Sequence, residues 1–294
     1  MRRLSLAFDR GPLLATLMLL PAAALLGGLL AFPLALGVLL GFKDATIGDP
    51  GSFIGLQNYR YLLTDPVFRI TALNTALYTL VTVLFKLGLG LALALILNQR
   101  FAGYRFWRSV LLLPYVVPTV LSAFAWWWIL DPQFSFISWA LVKLGVLDRN
   151  VNFLGNSWLA RASLMVANIW RGIPFFTVGY LAGLQAIPKE LHEAAAIDGA
   201  GDWQIFWQIT WILLLPLTTI LTIFSAIFTF TDFQLIWTIT RGGPANATHF
   251  FVTLAYQRAS PGGAMGEGAA IAGFTLPFLA LLAWAALGAL RTQA

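Results

Sequence analysis

The sequence predicts an all-α protein that crosses a membrane six times. Two observations lead there. Only 10% of the residues are charged against 59% hydrophobic, and the mean hydropathy is +0.80; a soluble domain carries about 25% charged residues. A bilayer therefore suits most of the surface better than water does. In addition, six apolar stretches, 13–41, 70–97, 109–130, 160–186, 211–237 and 268–290, each reach the roughly 20 residues that a helical span needs.

In chain order, Met1-Arg2-Arg3 and the small residues Ala22-Ala23-Ala24 resemble a signal peptide. The apolar run continues to Gly41, however, far past a signal's h-region of about 7–15 residues. It reads as an uncleaved first span. The segments 42–69, 131–159 and 238–267 are rich in Gly, Pro and Asn, as in DATIGDPGSF and RGGPANAT, and read as outer loops. Segment 188–210 reads as a short cytoplasmic helix–turn–helix. Pro188 opens the first helix, Glu190 and Glu193 suit its early turns, and Gly199 or Gly201 ends it. Trp203, Phe206 and Trp207 then lead into the fifth span.

Six spans put both termini on one side. By number, the Lys and Arg residues on the two sides balance. The set Arg2, Arg3, Arg10, Arg100, Arg105, Arg108, Lys189 and Arg291 lies in the shorter segments and abuts span ends, where charges weigh most. That set is therefore assigned to the cytoplasm, with both termini. No repeat or composition break divides the chain. It reads as a single domain over 1–294, with a core at 70–290 and the loop 188–210.

Pro114, Pro118, Pro174, Pro216 and Pro277 fall inside spans. Each removes an amide donor and frees the carbonyl four residues back, which in a bilayer must be satisfied by protein or a water-filled cavity. At 170–176, WRGIPFF combines an aromatic, a cation, a glycine and such a proline near mid-span. In the fifth span, Thr222, Ser225, Thr229 and Asp232 follow helical spacing that keeps them on one face. This stripe can line a polar pathway, or Asp232 can pair with Arg171 or Lys86. Lys86 alone can also be a packed or snorkelling lysine. Trp170, Phe175 and Phe228 add aromatic faces of the kind that suit the C–H faces of sugars.

Much chemistry is missing. There is no cysteine, so thiol, disulfide and iron–sulfur chemistry are excluded. His192 and His249 lie apart and make no metal cluster. No G-x-x-x-x-G-K-[ST] loop is present, and neither is G-x-S-x-G or H-E-x-x-H. The positive charges, +6 in sum, are scattered and form no nucleic-acid patch. The chain does not read as an enzyme; if ATP is used, a partner holds it.

One motif is more specific. Glu193-Ala194-Ala195, then Gly199, then Ile209 resembles the signature loop of binding-protein-dependent ABC importer permeases. FIGLQNYRYLLTDPVF at 53–68, LLLPYVVPTVLSAFAW at 111–126 and TRGGPANAT at 240–248 resemble their carbohydrate-uptake, maltose-type branch. One departure is Trp211-Ile212, where that family carries Leu-Pro.

The resemblance implies a type I importer transmembrane fold in the inner membrane of a bacterium or archaeon. It implies a coupling helix in 188–210, with Glu193, Ala194, Ala195 and Gly199 engaging a cytoplasmic ABC ATPase dimer. That dimer would bind ATP and Mg; no cofactor or metal is expected on this chain. It further implies a second, homologous permease, in this branch usually a different chain, and an extracytoplasmic binding protein that delivers a sugar or polyol. By position relative to the loop, the solute pathway falls on Trp170, Gly172, Phe175, Ser225, Phe228, Thr229 and Asp232. A polyamine or a glycerol-phosphate-type ester remains open as the solute. An ion-coupled carrier built on Asp232, Arg171 and Lys86 is the reading from another class.

Overall fold

The computed structural model describes residues 12–99 and 101–291. Arg2, Arg3, Arg10 and Arg100, used above for orientation, lie outside the described residues. Two compact units are present. One holds the described residues up to Leu62 with Ala255–Gly273, the other Leu63–Leu254 with the described residues from Phe274 onward.

In the first unit, α1 (Pro12–Leu26) continues through a π-type turn, Gly27–Ala31, into α2 (Phe32–Leu40). The Phe32 amide bonds five residues back, to the Gly27 carbonyl. This wider turn sits just before Pro33, which lacks a donor for the regular i→i−4 ladder. The apolar stretch Leu14–Leu40 has a mean hydropathy of 2.3 and none of its best window is buried by protein, so lipid is the medium that covers it. After α2 the chain is pinned by Asn58 on α3 (Gln57–Thr64), whose Nδ2 donates to the carbonyls of Gly41 (3.0 Å) and Lys43 (2.8 Å).

The second unit is built on two long helices, α4 (Pro66–Asn98) and α8 (Ser157–Ala186). Their starts follow from local chemistry. Asp65 caps α4 by accepting from the Val67 amide, with Pro66 at the first helical position. Asn156 caps α8 by accepting from the amides of Trp158 and Leu159. The two helices approach closely at Gly90, where an added Cβ would overlap the Cβ of Phe176 and sit 3.2 Å from the Thr177 amide nitrogen. In a bilayer small residues permit such approach, and packing rather than water exclusion then holds helices together. Val83, Ala94, Phe176, Tyr180, Leu214 and Leu221 form the core beside this crossing. Gly90→Leu is therefore expected to wedge α4 from α8. It should cost about 1–3 kcal/mol or more, read as a lowered thermal midpoint of the purified permease.

The expected span 109–130 is not one straight helix. It is α5 (Tyr104–Val116) and α6 (Thr119–Ile129), bent by 94°. Pro118 is the cause: Val117 before it is extended, as a residue preceding proline prefers, and Pro118 becomes the residue from which α6 starts. Pro114, Pro174, Pro216 and Pro277 lie inside helices that continue through them. Pro174 omits one amide donor from the ladder without ending the helix, and α8 runs on for 30 residues.

Past the short α7 (Phe136–Lys143) and then α8 come α9 (Lys189–Ile197) and α10 (Asp202–Ile205). A π-type turn, Phe206–Thr210, feeds α11 (Trp211–Phe230) directly. Asp202–Phe230 is one 29-residue apolar rod. Ile212 retains the amide that a proline would lack, so nothing interrupts the junction, and the Trp211 amide bonds to the Phe206 carbonyl. The fifth span therefore begins earlier than 211 and ends at Phe230 rather than 237. The following residues turn into a separate short helix, α12 (Gln234–Ile239), before α13 (Phe251–Ala259) and α14 (Met265–Arg291).

Among the described residues, four helical stretches are long and apolar enough to cross a membrane: Leu14–Leu40, Pro66–Asn98, Asp202–Phe230 and Met265–Gly288. The bent pair α5–α6 makes a fifth if taken as one span. Helix α8, expected as a span, has the length, but Arg161, Asn168 and Arg171 dilute its apolar character.

Candidate functional site

Helices α4, α8 and α11 and the turn after α11, with Tyr115 of α5 and Thr119 of α6, line an open cavity of about 740 Å³, within the usual range of small-molecule sites. Helix α4 contributes Lys86; α8 contributes Asn168, Arg171, Gly172 and Phe175; α11 contributes Ser225, Phe228 and Thr229. Asp232 enters from beyond the helix end. Six of the seven residues assigned to the pathway thus line one space. Trp170 does not: its ring lies edge-on to Trp126, with centroids 5.8 Å apart. Thr222, from the predicted stripe, is not in the lining either, and its buried hydroxyl has no partner among the described residues.

Asp232 reaches the cavity by a route that helical periodicity does not describe. Helix α11 stops at Phe230, and the Asp232 carboxylate Oδ1 accepts from the Leu235 amide at 3.3 Å, the forward bond by which aspartate competes with helix continuation. Its Oδ2 accepts from Asn168 Nδ2 (2.9 Å) and from the hydroxyl of Tyr78 (3.3 Å). Lys86 Nζ in turn donates to Asn168 Oδ1 (2.9 Å) and Thr229 Oγ1 (2.7 Å). Asn168 is therefore the bridge, its amide giving to the carboxylate and taking from the ammonium. Lys86 is only 3% exposed, so this is a deliberate internal charge and not a snorkelling one.

Gly172 makes room for it. A Cβ there would collide with the Lys86 side-chain stem, so the lysine crosses α8 at a position without a side chain. Sequence reasoning weighed Lys86 but missed Asn168. The signal was present, because Asn168, Gly172 and Phe175 follow i, i+4, i+7 spacing on α8.

Three charged groups line the cavity: Lys86, Arg171 and Asp232. Both Lys86 and Arg171 lie within electrostatic reach of Asp232. A lone charge at a helix centre in a bilayer costs about 2.5–3.5 kcal/mol on insertion scales, and the network offsets part of what burying Lys86 and Asp232 would cost. Phe228 is 67% exposed and offers an open aromatic face beside these groups.

A second candidate surface is the loop between α8 and α11. Helix α9 starts after Pro188 and ends in a Schellman motif: the Gly199 amide bonds to the Ala196 carbonyl (3.1 Å) and the Ala200 amide to that of Ala195 (3.0 Å). Gly199 holds φ = +83°, with open space around it. Its requirement is purely conformational, since a left-handed L-residue costs about 1–2 kcal/mol. Gly199→Ala is expected to fray α9, raising amide exchange in 193–198 by roughly tenfold in hydrogen-exchange mass spectrometry. Gly199→Asn, better suited to that conformation, should change it less.

Glu193 and Ala194 are exposed, Ala195 is half-buried, and Ile197 is 85% exposed. His192 ties the loop to the π-turn, its Nε2 lying 3.0 Å from Thr210 Oγ1. Among the described residues no group of His, Asp or Glu could hold a metal ion.

Comparison with known proteins places this architecture. Residues 86–290 match the family described as binding-protein-dependent transport system inner membrane component. The chain belongs to this family. It is a membrane-spanning permease, and the matched region includes both the cavity and the loop.

Among its relatives, the trehalose/maltose transport system permease protein MalF of Thermococcus litoralis is 36% identical over 215 residues, 73% of this chain and 72% of that one. The sulfoquinovosyl glycerol transport system permease protein SmoG of Agrobacterium fabrum is 35% identical over 88% of this chain and 84% of its own length. An sn-glycerol-3-phosphate transport system permease protein, UgpA, from the same organism is 32% identical over 73% of each. In fold, the permease matches a chain of a bacterial ABC transporter involved in the import of the acidic polysaccharide alginate, with a TM-score of 0.82 at 23% identity over 99% of this chain and 98% of that one.

Proposed function

We propose that this permease is one of two transmembrane subunits of an ATP-driven importer for a sugar or polyol. It would cross the inner membrane of a bacterium or archaeon six times, α8 included, with both termini in the cytoplasm. The observation that carries the reading is the 740 Å³ cavity in which the Lys86–Asn168–Asp232 network and Thr229 stand beside Phe175 and Phe228. Hydroxyl groups find donors and acceptors on the network, and the sugar ring finds apolar faces. Gly172, Ser225 and the remaining lining residues shape the same space. Trp170 supports the wall through Trp126 rather than by touching solute. The transport systems named for the relatives, trehalose/maltose, sulfoquinovosyl glycerol and sn-glycerol-3-phosphate, support a sugar-like solute.

Loop 188–210 is the docking element for a cytoplasmic ABC ATPase dimer that holds ATP and Mg. Glu193 meets a basic side chain of that partner, Ala194 and Ala195 let α9 sit close, and Gly199 sets the turn. Closure of the ATPases on ATP moves α9, and through the unbroken Asp202–Phe230 rod it moves Ser225, Phe228 and Thr229 at the cavity. The junction without proline makes that lever continuous. A binding protein on the opposite face delivers the solute, and a second, homologous permease completes the pathway.

The test is to co-purify the permease with its extracytoplasmic binding protein and to screen that protein for thermal stabilisation by sugars and polyols. A shift with at least one such compound is expected. Stabilisation only by amino acids, peptides or polyamines would contradict the sugar reading.

A further inference from the structure

The cavity charges do not balance. Asp232 is the one acidic group in the lining, while Lys86 and Arg171 are both cationic. The acid is already engaged: its two oxygens accept from Asn168, Tyr78 and the Leu235 amide. Asn168 also joins Asp232 to Lys86, so those two groups belong to one hydrogen-bonded unit. Arg171 also lies within electrostatic reach of Asp232 but stands outside that bonded unit. It lies half-buried midway along α8, lines the cavity, and among the described residues its guanidinium makes no hydrogen bond or ion pair. Two cationic side chains against one acidic side chain leave the lining short of negative charge, which is costly at membrane depth, and a planar guanidinium is the group best shaped for two parallel bonds to a carboxylate, phosphate or sulfonate.

We infer that the solute is an acidic sugar, and that Arg171 holds its anionic group while Phe175 and Phe228 face the ring. This rests on the sugar reading given above and narrows it. Phe175 follows Arg171 by one helical turn, so ring and anion are presented from the same stretch of α8. Lys86, already bonded to Asn168 and Thr229, and Asp232, already accepting from Asn168, then serve the hydroxyls. The carboxylate and phosphate cases share this chemistry and differ only in the probe that reports them.

The experiment uses the assembled transporter, both permeases with the ATPases, in lipid nanodiscs. Binding of glucose, glucuronate, glucose 6-phosphate and inorganic sulfate is followed by intrinsic tryptophan fluorescence. At least one acidic sugar should bind about tenfold or more tighter than glucose, equivalent to ~1.4 kcal/mol. Arg171→Gln should erase that ratio and Arg171→Lys should keep part of it.

Equal binding of glucose and both acidic sugars, or a ratio that survives Arg171→Gln, overturns the inference and leaves the sugar reading standing. Arg171-dependent binding of sulfate with no sugar bound keeps the anion site and overturns the sugar reading. No binding of any probe overturns both. Loss of the second permease from the Arg171→Gln complex would show that a protein carboxylate is the true partner and would also overturn the inference.

Discussion

Glu193→Ala is expected to leave the permease folded and in the membrane while abolishing uptake. Glu193 is exposed on α9 and contributes nothing to the packing of the chain, so its removal should move the thermal midpoint little. Its proposed value lies between proteins. A charge-assisted hydrogen bond to a basic group is worth about 1.5–3 kcal/mol, so binding-protein-stimulated ATPase activity should fall by roughly ten- to a hundredfold. Glu193→Gln, which keeps the shape and loses the charge, should recover little. Stimulated activity near that of the unaltered complex would remove Glu193 from the coupling surface. The neighbouring side chains sharpen the test, because Ile197 and Trp203 are largely exposed and would still support apolar contact with the ATPase.

Asp232→Ala is expected to act on stability and transport together. The substitution strips acceptors from Asn168, Tyr78 and the Leu235 amide and leaves Lys86 as an uncompensated buried charge. Breaking one side of a buried pair costs about 3–5 kcal/mol, or on the order of 10 °C in the thermal midpoint for a chain of this size. The double variant Lys86→Met/Asp232→Leu removes both charges and should regain much of that stability. It should not regain uptake, because the hydrogen-bonding wall of the cavity is gone. Recovery of uptake along with stability would mean that the network is scaffolding only.

These expectations rest on features that differ in how far the sequence foretold them. The loop around Glu193 was legible because it is local. Pro188, the Glu193-Ala194-Ala195 run and Gly199 at a left-handed position encode one short helix and its end within about a dozen residues. The cavity was half legible. Gly172, Phe175, Ser225, Phe228 and Thr229 sit where helical spacing puts them.

Asn168 was not found, since its role depends on α4 bringing Lys86 and the turn after α11 bringing Asp232 to the two ends of its amide. Asp232 lines the same cavity, but not by helical spacing: it lies past the end of α11, and its side chain helps to start α12. Proline alone could not say which spans break. Pro118 ends a helix because Val117 before it is extended, whereas Pro174 is carried inside α8 without a break. The passage from Phe206 to Trp211 is likewise continuous, through a π-type turn.

The central claim is that solute crosses at the cavity while energy enters at α9 from a separate ATPase. Uptake by proteoliposomes containing both permeases, with the ATPase and ATP inside and the loaded binding protein outside, tests it most directly. Uptake that requires internal ATP and binding protein, and that persists with a protonophore, is the predicted result. Uptake that needs no ATPase and collapses when the protonophore is added would contradict it.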